Sequence, residues 1–272
     1  MGIWQAVVLG IVQGLTEFLP VSSSGHLVLF GALLNVSEPG MLFEIMLHFG
    51  TLVAIFAAFW PEVVLLAKSA VLLLRNPGKV AKLVKVDANC RLILVIVLAT
   101  VPIGIVGLVA EDWIAGFFDS PVFTGVMLCV TGTILFLSDR AQKGSREMEQ
   151  ISYSDGLVIG IGQALAVLPG ISRSGTTIAA GLLSGIKRES AAKFSFLLSI
   201  PAVLGSQVVA AKDLLAGPGS VESLPAMAIG TVFAAVTGYL AIRLLLSFIR
   251  KGRLVIFAYY TWFVGLIVLL LA

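Results

Sequence analysis

Long apolar runs separated by short polar connections occupy most of the chain. Six of these runs are close to the ~20 residues that span a bilayer as a helix, and each is predicted to be a transmembrane helix. They cover residues 43–61, 92–111, 121–139, 194–212, 224–249 and 254–272. Apolar character continues after Pro61 to Arg75, and one straight helix of that length would exceed the hydrocarbon core. Residues 62–75 are therefore predicted to lie at the membrane surface, with Glu62 and Lys68 toward water.

Two further apolar regions, 3–36 and 156–186, are too long for one span and too short for two. Each contains helix-breaking residues at its centre, Pro20 to Gly25 in the first and Pro169 to Gly175 in the second. Irregular backbone persists inside a membrane only where protein or a water-filled cavity satisfies its polar groups. Both regions are predicted to be re-entrant helix–loop–helix hairpins. The predicted fold class is an all-α integral membrane protein with six transmembrane helices and these two hairpins.

The composition excludes a water-soluble protein. Hydrophobic residues make up 58% and charged residues 12% of the chain, and the mean hydropathy is +1.05. An ordinary soluble domain carries roughly 25% charged residues. Cys90 and Cys129 have no ligand-like spacing, so neither a zinc site nor a disulfide is predicted. The N-terminus has no basic region before its apolar stretch, so we expect the first segment to be retained in the mature protein.

Basic residues occupy only some of the connections. Lys and Arg cluster in 75–91, 140–146, 187–193 and 250–253, whereas 37–42, 112–120 and 213–223 contain none. By the positive-inside rule the first group is predicted to be cytoplasmic and the second external. This places both termini outside. The net charge of +3 therefore reflects membrane orientation, and no nucleic-acid partner is predicted.

The two hairpins resemble each other when the sequence is shifted by 150 positions. Gly10 to Leu15 aligns with Gly160 to Leu165, and the Ser22 to Gly25 segment aligns with Ser172 to Gly175. Each repeat, about 1–139 and 153–272, contains one hairpin and three spans. Because three is odd, the second copy is predicted to be inverted within a single membrane domain. Inverted repeats place broken helices opposite each other near the bilayer midplane, where helix N-termini favour anions.

The repeats differ where chemistry would need them to differ. Glu17, Ser23 and His26 in the first copy correspond to Val167, Arg173 and Thr176 in the second. A carboxylate, a hydroxyl and an imidazole opposite an arginine suit phosphoryl transfer. A guanidinium at membrane depth is costly and is retained for anionic partners such as carboxylate or phosphate. Arg173 is therefore predicted to bind the diphosphate. The structural alternative is a salt bridge between Arg173 and Glu17.

Glu17 is predicted to hold a divalent cation or to act as a base. Gln13 projects from the same helix face one turn earlier and is a tentative second ligand, although Gln163 occupies the equivalent position and a symmetric bracing role is the alternative. Two residues of the first span are secondary candidates. Glu44 is a candidate for metal binding, and His48 is predicted to pack against its neighbours or to support the site by a contact.

Hydroxyl groups and a glycine around the breaks are predicted to bind the substrate or to cap helices. They are Ser22, Ser24, Ser172, Ser174, Gly175 and Thr177. Ser23 does not recur in the second copy, which makes it the better nucleophile candidate. His26 could activate Ser23, attack phosphorus or protonate the leaving oxygen, and its alternative role is helix packing.

Two motifs carry a family resemblance. Residues Gln13 to His26 (QGLTEFLPVSSSGH) and Pro169 to Thr177 (PGISRSGTT) resemble the bacterial undecaprenyl-diphosphate phosphatase family, also called the bacitracin-resistance family. The resemblance extends over essentially the whole chain. It implies hydrolysis of undecaprenyl diphosphate to undecaprenyl phosphate and inorganic phosphate, which recycles the lipid carrier for cell-wall synthesis. It also implies a divalent cation, Mg or Ca, and a site that opens to the external face of the bacterial inner membrane.

The resemblance assigns roles by position. Glu17 is the second acidic residue of the family's E/Q-x-x-x-E element, Ser23 and His26 are its proposed nucleophile and catalytic partner, and Arg173 binds phosphate. Gln13 stands where many members have glutamate, and a neutral amide is a weaker cation ligand. The attacking atom, Ser23 or His26, stays open. A transporter or flippase for an anionic lipid or small anion is the alternative function, since inverted repeats with broken helices are typical of transporters. A homodimer is compatible with the sequence.

Overall fold

The structure is a computed structural model that describes residues 1–36, 41–118, 120–140, 144–216 and 223–271. These residues are helical almost throughout and contain no strand beyond one isolated bridge between Arg146 and Ile186. They form thirteen α-helices: α1 (Ile3–Phe18), α2 (Ser23–Leu33), α3 (Met41–Ala58), α4 (Trp60–Arg75), α5 (Val80–Val86), α6 (Ala88–Val109), α7 (Glu111–Phe118), α8 (Pro121–Asp139), α9 (Tyr153–Leu165), α10 (Arg173–Leu183), α11 (Arg188–Ala216), α12 (Leu224–Arg250) and α13 (Val255–Leu271).

The helices are those of an integral membrane protein. Within the described residues four are long and apolar enough to cross a bilayer, namely α6, α8, α12 and the Arg188–Val208 part of α11. The pair α3 and α4 is a fifth candidate with a bend of 93°. α13 is apolar but has 17 residues, fewer than the ~20 of a full span. Each of the six predicted spans overlaps a helix of the described residues, but only four of these helices are long and apolar enough to cross a bilayer by themselves.

The predicted connections also contain helices. α5 lies within 75–91, and α7 occupies most of 112–120. α6 accordingly ends at Val109, slightly before the predicted end of that span at 111. Parts of the predicted connections and of the last span, namely 37–40, 119, 141–143, 217–222 and 272, lie outside the described residues.

The apolar stretch 43–75 is divided at Phe59, between α3 and α4. Pro61 occupies the first turn of α4, where its missing N–H group is tolerated. The division comes shortly before the predicted start of the surface segment at 62. The Glu62 carboxylate lies 3.4 Å from Lys193 Nζ on α11 and is 28% exposed, so this side chain faces a neighbouring helix as well as water.

Each predicted hairpin is a pair of short helices. α1 begins at Ile3 and α9 at Tyr153, and α10 extends over Arg173–Leu183 where α2 extends over Ser23–Leu33. In both helices of the pair the equivalent starting residues are 150 positions apart, which is the shift at which the two sequence segments align. The second hairpin starts at Tyr153, slightly before the predicted 156. The breaks differ in length, 19–22 against 166–172, because α9 ends earlier than the shift of α1 would place it.

The second helix of each hairpin begins at a serine cap. Ser22 Oγ accepts a hydrogen bond from the Gly25 amide at 3.5 Å, and Ser172 Oγ accepts one from the Gly175 amide at 3.1 Å. Each oxygen satisfies one of the amides that the first helical turn leaves without an acceptor. α2 consequently starts at Ser23, directly after its cap.

The hairpins also end alike. The Val36 amide donates to the Gly31 carbonyl at 2.9 Å, and the Ile186 amide donates to the Gly181 carbonyl at 3.0 Å. Asn35 (φ 54°) and Gly185 (φ 79°) both have the left-handed backbone that this helix ending requires. The correspondence between the two hairpins therefore extends from sequence to backbone hydrogen bonds.

Each hairpin packs against a long helix from the other half of the chain. α1 lies on α12, where a Cβ atom at Gly10 would stand 2.4 Å from the Gly230 carbonyl oxygen. α9 lies on α6, where a Cβ atom at Gly160 would stand 2.4 Å from the Ala99 carbonyl oxygen. Only glycine allows backbones to approach this closely. This arrangement, in which each hairpin packs on a helix from the other half of the chain, is called the crossed packing below. It brings the two helix breaks toward each other.

Candidate functional site

The two helix breaks touch in the interior of the protein. Ser174 Oγ donates to the Leu19 carbonyl oxygen at 3.3 Å, and a Cβ atom at Gly175 would lie 3.2 Å from Cβ of Pro20. Residues from opposite halves of the chain are therefore neighbours. Because α2 and α10 both start here, first-turn N–H groups of two helices lie at the same junction.

A polar cluster at this junction is centred on the Glu17 carboxylate, which is 7% exposed. Its Oε1 accepts a hydrogen bond from the Arg173 guanidinium. Its Oε2 accepts hydrogen bonds from Ser23 Oγ at 2.7 Å and from Gln13 Nε2 at 3.1 Å. The structure thus contains the ion pair that was the structural alternative for Arg173, and it adds a hydroxyl on the second carboxylate oxygen. A buried carboxylate requires such partners to remain ionised.

The amide of Gln13 is oriented toward the cluster through its nitrogen. Gln13 Nε2 lies 3.2 Å from His48 Nδ1, and that ring nitrogen is 3.9 Å from Glu17 Oε2. Gln13 Oε1 and both amide atoms of Gln163 are buried without a hydrogen-bond partner in the described part of the chain. The symmetric role, in which each glutamine would brace the opposite loop, is therefore not what the structure contains.

A cavity of about 880 Å³ opens from the cluster. Its polar wall includes side chains from α1, α2, α3 and α10 and from the second break, among them Glu17, Ser23, Ser24, Glu44, His48, Ser172 and Arg173. Much of the remaining lining is apolar and includes Leu27, Val28, Val36, Phe118 and Ile171. The cavity wall therefore combines charged and apolar side chains, which suits an amphipathic ligand with an anionic head group.

Several predicted substrate-binding residues serve the scaffold instead of the cavity wall. Ser22 caps α2, and Ser174 bonds to the opposite break. The Thr177 hydroxyl lies 2.6 Å from Ser195 Oγ and donates to the Arg173 carbonyl at 2.7 Å. Gly175 is enclosed between the two breaks. Of the six predicted positions, Ser24 and Ser172 line the cavity.

His26 is 3% exposed and is not among the residues that line the cavity. Its Nδ1 lies 2.8 Å from the Ser22 carbonyl oxygen, and its Nε2 lies 2.8 Å from the Tyr260 hydroxyl on α13. A carbonyl can only accept, so Nδ1 carries the proton and, in the neutral ring, Nε2 accepts from Tyr260. Both ring nitrogens are thus occupied, and in this geometry the partner of Ser23 is Glu17 rather than His26.

The contact with His26 coincides with an unusual backbone conformation. Ser22 has φ 71° and ψ 101°, a region that non-glycine residues rarely adopt and that costs of order 1–3 kcal/mol. The bond from His26 to the Ser22 carbonyl fixes this peptide immediately before Ser23. His26 therefore positions the turn that carries Ser23, and Tyr260 holds the imidazole in place.

Replacing Tyr260 by phenylalanine is expected to destabilise the protein, because it leaves His26 Nε2 buried without a donor. The cost of such a group is about 1–3 kcal/mol. Thermal unfolding in detergent measures it. Tyr259 is the matched control, since it is 57% exposed and its replacement by phenylalanine should leave the midpoint unchanged. Equal midpoints for the two variants would contradict the assignment of Tyr260.

Tyr260 and Thr131 are site residues that the sequence patterns did not predict. Thr131 Oγ1 donates to the Gly170 carbonyl at 2.9 Å and accepts from the Ser172 amide at 3.1 Å, so α8 holds the longer break in place. Both residues lie in strongly apolar runs and belong to no motif. A polar atom in an otherwise apolar span was the only local signal for either of them.

The chain matches one known protein family along nearly its whole length. The family model described as bacitracin resistance protein BacA matches residues 6–267. The chain belongs to the BacA family. The match covers both helix breaks and most of α1 and α13, so every residue of the Glu17 cluster lies within the part that the BacA family shares.

Curated relatives cover nearly the full chain. An undecaprenyl-diphosphatase of Desulforapulum autotrophicum is 43% identical over 270 residues, which is 98% of this chain and 97% of that protein. Proteins with the same name are 44% identical over 273 residues in Methanobrevibacter smithii, covering 98% and 97%, and 40% identical over 272 residues in Halothermothrix orenii, covering 100% and 99%. The resemblance of the two motifs to this BacA family is thereby confirmed.

Proposed function

We propose that the protein is an undecaprenyl-diphosphatase, which hydrolyses undecaprenyl diphosphate to undecaprenyl phosphate and inorganic phosphate and so recycles the lipid carrier for cell-wall synthesis. The observation that carries this proposal is the Glu17 cluster in a cavity whose wall is partly charged and partly apolar. The head group would lie against Arg173 and Ser23, and the polyprenyl chain would follow the apolar wall. The names of the full-length relatives agree with this reaction, and none of them supports the transporter alternative.

Ser23 is the proposed nucleophile, and Glu17 is its base. The 2.7 Å hydrogen bond from Ser23 Oγ to Glu17 Oε2 is within the range for proton transfer. Ser23 Oγ attacks the terminal phosphorus, the anhydride bond breaks, and Glu17 takes the serine proton and passes it to the leaving phosphate oxygen. Water then cleaves the phosphoserine: Glu17 accepts a proton from the water and returns it to Ser23 Oγ.

Arg173 is proposed to bind the terminal phosphate in this reaction. Its guanidinium contacts Glu17 in the structure and lines the cavity, so it is within reach of an anion that enters. Two N–H groups in fixed geometry match two phosphate oxygens. The N–H groups at the starts of α2 and α10 add donors for the charge that develops on the equatorial oxygens.

The residues present fit a divalent cation, Mg or Ca, that binds together with the diphosphate. Glu17 and Glu44 are carboxylates on the same cavity, and Mg²⁺ typically uses one or two carboxylates plus substrate phosphates. No group of three or more His, Cys, Asp or Glu side chains suited to a metal occurs in the described ranges, so most ligands would come from substrate and water. Gln13 remains a tentative ligand that would have to turn its unpartnered Oε1 toward Glu17. When bound, the cation neutralises negative charge on the diphosphate oxygens.

The proposed topology has six membrane spans and two re-entrant hairpins, with inverted repeats of about 1–139 and 153–272 in one domain. It is supported by the matching boundaries of the two hairpins and by the crossed packing of α1 on α12 and α9 on α6. We place α3 and α13 as the fifth and sixth spans and α4 along the membrane surface.

The proposed orientation has the cavity and both termini on the external face of the bacterial inner membrane. The cavity lining includes Val36 and Phe118, which adjoin or lie in two of the connections without Lys or Arg. The positive-inside rule makes those connections external. A homodimer stays a prediction.

Phosphate release by the purified protein in detergent tests the proposed reaction. We expect inorganic phosphate from undecaprenyl diphosphate, none from undecaprenyl phosphate, loss of release with EDTA and recovery with Mg²⁺ or Ca²⁺, because the cation neutralises charge on the diphosphate. A colorimetric assay measures the inorganic phosphate released from each of the two lipids. Release equal to a protein-free blank, with both cations supplied, would end the proposal.

A further inference from the structure

A second cavity, of about 520 Å³, lies beside the bend between α3 and α4. Among the described residues, four basic side chains and one carboxylate line it, namely Lys193, Arg243, Arg250, Lys251 and Glu62. It is separate from the first cavity. Glu44 lines the first and Ala58 the second, and the length of α3 between them corresponds to about 21 Å along its axis.

The basic groups of this cavity are only partly neutralised. Lys193 pairs with Glu62 at 3.4 Å, and Arg250 pairs with Glu189 at 3.1 Å. Arg243 and Lys251 have no carboxylate within ion-pair distance in the described residues. The Arg243 side chain donates a hydrogen bond to the Tyr239 hydroxyl at 3.2 Å. Four cations thus face two carboxylates, which leaves an excess of two positive charges.

Neighbouring residues indicate that the cavity lies at the level of the lipid head groups. Trp60 adjoins the lining residue Phe59 and is 60% exposed, and Tyr239 supports Arg243. Trp and Tyr are enriched at membrane–water interfaces. Arg250 is the last residue of α12, and Arg243 lies two turns earlier, about 10 Å deeper along the helix axis. The cationic wall therefore extends from the helix end toward the hydrocarbon.

The lining is also partly apolar. Phe59 and Leu246 are buried side chains that form part of the wall beside the charged groups. A free inorganic anion would make no favourable contact with the apolar part of the wall. A phosphate ester attached to a glycerol and acyl chains would contact both the basic and the apolar side chains. Basic pockets between membrane helices on the cytoplasmic side are typical sites for lipid phosphate groups.

We propose that this cavity binds the phosphate group of an anionic phospholipid of the cytoplasmic leaflet. Arg243 and Lys251 contact the phosphate, and Phe59 and Leu246 contact the start of the acyl chains. The site is distinct from the Glu17 cluster and does not depend on the reaction proposed there. Its ligand class is a phosphate ester on a lipid, and free phosphate is the competing source of the same group.

Native mass spectrometry of the delipidated full-length protein tests the proposal with phosphatidylglycerol, phosphatidylcholine and inorganic phosphate as probes. We expect preferential binding of phosphatidylglycerol, with the affinity about tenfold lower or weaker still in an Arg243→Gln/Lys251→Gln variant. Lys79→Gln/Lys82→Gln is the matched control. It removes the same charge from exposed positions on the same predicted side, outside the cavity, and should bind as the unmodified protein does.

Ser247→Phe provides a second variant that fills the cavity and leaves every charge in place, so it should also lose the lipid. Equal phosphatidylglycerol binding by the cavity variant and the Lys79/Lys82 control would overturn the site. If inorganic phosphate at millimolar concentration displaced the lipid completely, the site would belong to free phosphate and the lipid assignment would be wrong. Phosphate release measured on each variant confirms that it is folded.

Discussion

Replacing Arg173 by alanine is expected to lower kcat/KM for phosphate release by about 10³-fold. The substitution removes a cation that faces the terminal phosphate, and losses of this size are typical when a donor to developing negative charge is deleted. It also leaves Glu17 buried without its cation, which should lower stability by about 3–5 kcal/mol. Steady-state kinetics and thermal unfolding in detergent measure the two effects.

Arg188→Ala separates stability from catalysis. Arg188 pairs with Asp139 and its side chain is 17% exposed, close to the 18% of Arg173, but it does not line the cavity. This variant should lose comparable stability and keep kcat/KM near that of the unmodified protein. Arg173→Lys retains the charge but not the planar fork, and we expect an intermediate loss. If Arg173→Ala kept more than about a tenth of the activity, its phosphate role would be wrong.

Replacing Ser23 by alanine is expected to lower kcat by about 10³-fold or more, because the reaction loses the atom that attacks phosphorus. Ser24→Ala is the comparison. Ser24 lines the same cavity, but its hydroxyl contacts Ser22 Oγ at 3.2 Å and not Glu17, so its loss should mainly raise KM. Rapid quenching followed by peptide mass spectrometry should find phosphate on Ser23 in the unmodified protein.

The outcome that would reassign the nucleophile is specific. A Ser23→Ala variant with near-normal kcat, together with phosphate on His26, would show that the imidazole leaves the Tyr260 hydroxyl and attacks. A near-normal kcat with no phosphorylated residue would instead show direct attack by water. In either case Arg173 keeps its proposed contact with the terminal phosphate.

The positions of the helix breaks could be predicted from sequence because they depend on local chemistry. Pro20 and Pro169 lack the N–H that a helix needs, and Ser22 and Ser172 supply the caps that restart it. The alignment of the two repeats then paired the segment after Glu17 with the segment that carries Arg173. Since inverted repeats bring such loops together, the proximity of these two side chains could be expected from the sequence alone.

The orientation of individual side chains could not be predicted in the same way. His26 lies one turn after Ser23, which made it a plausible partner, yet its rotamer is set by Tyr260 on the last helix of the chain. Gln13 and Gln163 are equivalent in sequence, but only Gln13 has a carboxylate one turn away, and only Gln13 makes side-chain hydrogen bonds in the described residues. Such differences arise from distant packing, which a repeat alignment does not contain.

The crossed packing has a consequence for the order in which the protein is made. α1 ends at Phe18 and its neighbour α12 begins at Leu224, so most of the chain is synthesised between the two. At roughly 5–20 residues per second the ribosome takes roughly 10–40 s to cover this distance. For much of that time Glu17 has no arginine, and an unpaired carboxylate is costly in hydrocarbon. We therefore expect the first hairpin to remain at the bilayer surface or within the insertion machinery until the second half of the chain emerges.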